Sequence, residues 1–326
     1  MRIIALTFGD ESAASSLYRI YQYVIPLAKI GIQLTAHPAD RFEDWSSLGD
    51  YDGVIVQKKL FSSRRVRLVR KHARRLIYDT DDAIWEPHGR PHHWLTRWRT
   101  ERRLAAISRL ADGCIAANEV LATRLRHYSK RVDVVVMSLD ESVWQPRPQG
   151  NDGKVRIGWA GAPVNLRYLY AIEPSLQAVQ RQHPEVELVV YCGESPKFQS
   201  GLKFTHIPYR SGGEIPTVQT FDIGLLPLPD NPFARGKSPI KGLQYMACGA
   251  ATIASPCGAT CEIFSAGQTA LYATSEAEWT GAMLRLINEP DMRRQMGQRS
   301  RERFSNHHSR TAVANALGAL LKSYKA

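Results

Sequence analysis

The 326 residues are 44 % hydrophobic and 23 % charged, which suits two buried cores of about 150 residues each and excludes a disordered chain. No run of 18 apolar residues occurs, which excludes a membrane-spanning helix of the usual kind. The formal net charge is +12, with 24 Lys and Arg against 17 Asp and Glu up to residue 150, so both halves are basic and anionic partners are expected.

The chain opens with a strand, "RIIALTFG" (2–9), whose apolar run stops at Gly9-Asp10-Glu11, too early for a secretory leader. A cytoplasmic protein is expected. Five scattered cysteines, at 114, 192, 248, 257 and 261, fit small buried thiols better than a disulfide framework. Cys257-x-x-x-Cys261 lacks the second pair that a zinc site needs.

Apolar groups at helical spacing follow over 15–30, then strands at 32–38 and 51–58. A helix over 62–75 precedes the strand "RLIYD" (75–79). A helix over 95–110, a strand at 112–118, a helix over 118–128 and a strand at 132–138 complete this half. Residues 144–154, rich in Pro, Gly and polar groups, read as a linker. A second series runs through strands at 154–161, 186–193, 203–209, 222–228, 251–255 and 270–273. Helices are expected over 166–182, 239–247, 275–288, 290–303 and 309–323. Such alternation predicts an α/β chain of two doubly wound, Rossmann-like domains facing a central cleft, with ligands beyond the carboxyl ends of the strands. The expected boundaries are 1–148, 149–305 and a last helix over 306–326. Neither half carries G-x-G-x-x-G or G-x-x-x-x-G-K-[ST], which counts against a dinucleotide dehydrogenase and a P-loop NTPase.

The stretch "GKSPIKGLQYMACGAATIASPCG" (236–258) suggests an anion site. Ser238 suits an N-cap, Pro239 the first helical position and Gly249 a C-terminal stop. Unpaired N–H groups at the helix start, with Lys237 and Lys241, would attract a phosphate. An ordinary capped helix with two solvated lysines is the plainer alternative. "LIYDTDDAIWEPH" places Asp79, Asp81 and Asp82 just past a strand. Asp-x-Asp resembles the nucleophile motif of haloacid-dehalogenase-type phosphatases and the metal-binding motif of single-domain glycosyltransferases. It also suits an acceptor contact in a two-domain transferase, or simple helix capping. His88, His92 and His93 are loop histidines that could line an acceptor pocket; no metal site is assigned to them. Over 64–75, Val66, Val69, Ala73 and Leu76 form one stripe and seven basic residues fill the other faces. That is an amphipathic helix over a sheet, whose basic face would also be drawn to an anionic membrane leaflet. Few aromatics interleave with this basic run and no nucleic-acid module is present, so a nucleic-acid partner is not expected.

Taken together, "SSLYRIYQYVIPLAKIGIQLTAHP", "RRLIYDTDDAIW", "KVRIGWAGAPVNLRYL" and above all "DIGLLPLPDNPFARGKSPIKGLQYMACGAATIASPCGATCEIF" resemble glycosyltransferase family 4, of GT-B architecture. The resemblance implies a hexosyltransferase that moves a sugar from a nucleotide-sugar donor, UDP- or GDP-linked, to an acceptor hydroxyl in glycan biosynthesis. Retention of configuration follows from it, with no cofactor and no required divalent metal. It implies donor contacts at Gly161, Arg167, Lys237, Ser238, Lys241, Gln244 and Glu262. Ser15 and Arg19 would contact the acceptor, and Asp81, Asp82 and His88 would orient its hydroxyl. Lys237 and Lys241 would offset the leaving-group charge, an effect typically worth roughly 3–4 kcal/mol per group. The acceptor would be a glycan or a lipid-linked one, reached from the inner face of the plasma membrane. The family pattern carries two glutamates separated by seven intervening residues; here those positions are Gly236 and Gln244. Its diphosphate Arg–Lys pair falls on Ala162 and Arg167. The alternatives are a non-catalytic relative on an anionic surface, or a phosphohydrolase built on Asp79 and Asp81.

Overall fold

The computed structural model describes residues 1–87, 91–146 and 153–324. The chain divides into two units. The first joins Met1–Ser138, Asn231–Ser238 and His308–Ala326; the second joins Leu139–Asp230 and Pro239–His307.

In the first unit six strands form one parallel sheet: β1 Arg2–Thr7, β2 Gln33–Pro38, β3 Gly53–Gln57, β4 Leu76–Thr80, β5 Gly113–Ala116 and β6 Val132–Val134. Their order is β2-β1-β3-β4-β5-β6. Every residue of β3 and β4 is buried, as expected of strands covered by helices on both faces. The order reverses between β1 and β3, so loops leaving those strands diverge and open a crevice at their carboxyl ends. The core on one face combines Ile3, Ile55 and Ile77 with Leu27. Val313, Leu317 and Leu321 of the helix Arg310–Ser323 complete it. Gly318 lies so close to Ile30 that a Cβ there would come within 2.3 Å of its side chain.

The second unit holds β7 Arg156–Ala160, β8 Glu187–Cys192, β9 Thr205–Pro208, β10 Ile223–Leu226, β11 Ala251–Ala254 and β12 Leu271–Tyr272. Their order, β12-β11-β10-β7-β8-β9, is that of a dinucleotide-binding sheet, with its switch point between β7 and β10. The Tyr245 hydroxyl accepts from Ala160 N at 3.1 Å and donates to Leu225 O at 3.3 Å, tying those two strands together at the switch.

Each of the twelve strands read from the sequence is present. Two long helices are broken. The segment 15–30 becomes Ala14–Arg19, a tight turn at Tyr21–Tyr23 and Val24–Lys29, with Pro26 in the first turn of the last piece, where a missing N–H costs least. The segment 166–182 divides into Leu166–Tyr170 and Glu173–Gln182, because Pro174 starts a new helix more readily than it continues one.

Candidate functional site

In the first unit the polar residues gather where β1, β3 and β4 end. β4 delivers Asp79 as its penultimate residue, and Asp81 and Asp82 follow just beyond it. The Arg19 Nε donates to both oxygens of Asp79 at 2.9 Å, Arg19 Nη2 lies 2.8 Å from Oδ2, and Nη1 donates to Val135 O. Both side chains are buried. This corrects two expectations. Arg19 is turned into the fold and is not presented to an acceptor. Asp79, with both oxygens bound by one guanidinium, is not presented as a nucleophile or a metal ligand.

Asp81 and Asp82 face a different cation, which the sequence reading missed. Lys58, directly after β3, donates from Nζ to Asp82 Oδ2 at 2.5 Å and lies 3.5 Å from Asp81 Oδ1. Its backbone has φ of 63°, in the left-handed region, and its N–H donates to Asp79 O at 2.7 Å. Among the described residues no other non-glycine residue has a positive φ. Strain of this kind persists where surroundings impose it, and it concentrates at functional sites. Burial opposes the Lys58 charge, but Asp81 and then Asp82 outweigh it and hold the ammonium above its ordinary pKa. Burial, then the charge of Asp81, pushes the Asp82 carboxyl above its ordinary range against the pull of Lys58.

Ser15 joins this group. Its hydroxyl donates to Asp81 Oδ2 at 2.7 Å and accepts from Gln57 Nε2 at 3.0 Å. Gln57, fully buried at the end of β3, also accepts from Phe8 N at 2.7 Å and so fixes the loop after β1. A lysine and a glutamine closing a fully apolar strand were the signals available for Gln57 and Lys58. His88, expected to act with Asp81 and Asp82, lies outside the described residues.

The segment Asn231–Ser238 belongs to this unit. Ser238 Oγ donates to Asp81 O at 2.9 Å, and Asn118 Nδ2 donates to Gly236 O at 3.2 Å. A Cβ on Gly236 would stand 2.6 Å from Ala83 Cβ and 3.1 Å from Leu121 Cδ2. The residue has φ of −84°, so glycine is required there by close approach and not by backbone conformation. Lys237 adds a positive field on Asp82. Ser238 is therefore not the N-cap expected from the sequence. The helix runs Ile240–Cys248, its N-cap is Pro239 without a side-chain bond, and it ends at Gly249 with φ of 73°.

The second unit carries the other expected donor residues. The Lys241 ammonium is paired with Glu214, so the two lysines read as one cluster fall to different units. Gln244 is 1 % exposed and its Oε1 is buried without a hydrogen-bond partner. Such an orphaned acceptor is costly unless something donates to it. Arg167 is exposed at the start of its helix, with its guanidinium 4.9 Å from the Tyr168 ring centroid. Glu262 is exposed in the short helix Thr260–Ile263, and its carbonyl accepts from Arg303. Gly161 directly follows β7. The space beside its Cα is filled by the Trp159 indole, 2.4 Å from where a Cβ would be, and its N–H donates to Tyr191 O at 3.0 Å. Close approach by a ligand is not what requires this glycine. Among the described residues, no three His, Cys, Asp or Glu side chains are grouped to hold a metal ion.

Residues 173–319 match a family model described as "Glycosyl transferase-like". No curated protein sequence matched the chain. Among solved structures, a sucrose-phosphate synthase from Thermosynechococcus elongatus superposes with a TM-score of 0.74 at 16 % identity, covering 99 % of both chains. Anabaena HepE in complex with UDP gives 0.72 at 13 % identity, over 99 % of this chain and 100 % of the other. A glycosyltransferase from Rickettsia africae gives 0.68 at 9 % identity, over 99 % and 97 %. The fold is the two-sheet GT-B fold, along the whole chain.

Proposed function

We propose that the chain is a glycosyltransferase of family 4 that moves a sugar from a nucleotide-sugar donor to an acceptor hydroxyl, with retention of configuration. The observation that carries this reading is the Gly236-Lys237-Ser238 segment set against Asp81 and Asp82 in a GT-B chain. It joins a cation suited to a diphosphate with carboxylates suited to a sugar hydroxyl.

In this mechanism Lys237 steadies the donor diphosphate as the glycosidic bond breaks and negative charge grows on the leaving oxygen. Asp81 and Asp82 accept hydrogen bonds from hydroxyls of the acceptor next to the attacking one, which leaves that hydroxyl aimed at the anomeric carbon with its own proton directed to the donor. The donor phosphate takes the hydroxyl proton, so no protein nucleophile is needed. Lys58 holds the two carboxylates in place from between them. In the second unit a ribose hydroxyl donates to the unpartnered Gln244 Oε1, where an amide stands in for the glutamate of the family pattern. The complex of HepE with UDP supports UDP as the first nucleotide to test.

A thermal-shift panel of UDP, GDP, ADP and their sugars, with and without EDTA, tests the reading. One nucleotide should raise the melting temperature without metal, and both Lys237→Ala and Gln244→Ala should weaken that rise. A protein that no nucleotide stabilises would be a non-catalytic relative, and the assignment would fall.

A further inference from the structure

The helix Trp94–Leu110 buries Leu104, Ile107 and Ser108, all in its second half. Its first half is not used by the core. Trp94 is 67 % exposed, Trp98 52 % and Leu95 38 %, although each tryptophan could bury about 150–250 Å². Positions 94, 95 and 98 fall on one stripe of a helix, in a first half whose residues 94–99 are exposed on every face. Exposed arginines border it. The Arg102 guanidinium lies 4.8 Å from the Trp98 ring centroid, and Arg99 and Arg103 continue the basic edge. Glu101, the one acid in the helix sequence, is paired with Arg124. The basic helix Ser63–His72 packs against this one and exposes Arg64, Arg67 and Lys71.

We propose that the outward stripe Trp94–Leu95–Trp98, with Arg99, Arg102 and Arg103, docks the protein on an anionic lipid bilayer. The helix lies in the plane of the surface. Indole rings settle at the headgroup level, which they favour over both water and hydrocarbon. The arginines keep their stems against the rings and their heads on lipid phosphates. Charge complementarity selects this occupant, since the stripe and its packed neighbour expose cations beside apolar rings. Among the described residues no helix is long and apolar enough to cross a membrane, so the contact is peripheral. The proposal does not depend on the transferase reading, and its readout needs no nucleotide sugar.

The test is sedimentation of the full chain with extruded vesicles of phosphatidylcholine, alone or mixed with phosphatidylglycerol, at low and at physiological salt. Binding should require phosphatidylglycerol and weaken as salt rises. The variant W94A/W98A should bind about tenfold more weakly or worse, and R99S/R102S/R103S should lose about fivefold per cation. Ile25→Ala, exposed elsewhere on the unit, should bind as the unaltered chain does. Brominated lipid should quench the unaltered chain's tryptophan emission, a readout that requires no variant to fold. Equal binding to neutral vesicles, or full binding by W94A/W98A, would overturn the proposal. So would an absence of vesicle binding, including the case where a single-stranded oligonucleotide binds instead and W94A/W98A loses it.

Discussion

Lys58 carries two separable loads, and replacing it by alanine and by glycine tells them apart. Both changes remove the ammonium between Asp81 and Asp82. The Lys58 and Asp81 side chains are 11 % and 7 % exposed, so the loss approaches that of breaking a buried pair, about 3–5 kcal/mol. Asp82, at 29 %, is screened by solvent and can shed part of its cost by protonation, which places the expected loss for Lys58→Ala near the lower end, about 3 kcal/mol. Alanine also keeps a Cβ at φ of 63°, whereas glycine adopts that angle without penalty. Relief of about 1–2 kcal/mol, less the extra entropy that glycine loses on folding, should leave Lys58→Gly about 1 kcal/mol more stable than Lys58→Ala. Two-unit chains need not unfold in one step. The assay is therefore native-state hydrogen exchange at the amides of β3 and β4, where that difference is about a fivefold change in protection. If Lys58→Ala proves as stable as Lys58→Gly, the backbone is not strained there. If both match the unaltered chain, the lysine does not hold the carboxylates.

Three further outcomes follow from the same geometry. Gly236→Ala should cost about 1–3 kcal/mol through overlap with Ala83 Cβ, and Ala83→Gly should restore most of it; a chemical-denaturation cycle without coupling would contradict the close approach. Asp79→Asn should leave Arg19 buried and half-paired, costing about 3–5 kcal/mol, while turnover per folded molecule changes little; loss of turnover in a fully folded protein would revive Asp79 as a chemical group. Because the Asp82 carboxyl is raised, its ionised form is lost as pH falls through a value above the ordinary carboxylate range, and transfer should decline there. The stability sign is opposite: a raised folded-state pKa favours folding below the unfolded value and loses that advantage as pH rises through the folded one. Asp82→Asn should therefore flatten the acid limb of the pH–rate profile and destabilise least near neutrality; an unchanged acid limb would remove Asp82 from the site.

The parallel sheets were legible in the sequence because central strands such as β3 and β4 are buried on both faces, and a buried parallel strand reads as a near-continuous apolar run. "GVIVQ" and "LIYDT" announce themselves, and Asp81 and Asp82 are visible because charge ends such a run abruptly. Partners across the chain are not visible in this way. Nothing local distinguishes Asp79, which meets an arginine sixty residues away, from Asp81, which meets a serine and a lysine. Lys58 was hidden for a second reason: φ of 63° on a lysine is imposed by tertiary contacts and contradicts the residue's own preference. Gly236 shows the same limit from the other side. Read along the chain, it is a glutamate position of the resembled family left without a side chain. In the fold, Ala83 and Leu121 occupy the place where a side chain would begin. A glutamate introduced there would first have to move the Lys237–Ser238 segment off Asp81, so Gly236→Glu should weaken nucleotide binding. Its position in the fold, more than its distance from a family pattern, sets what this residue can do.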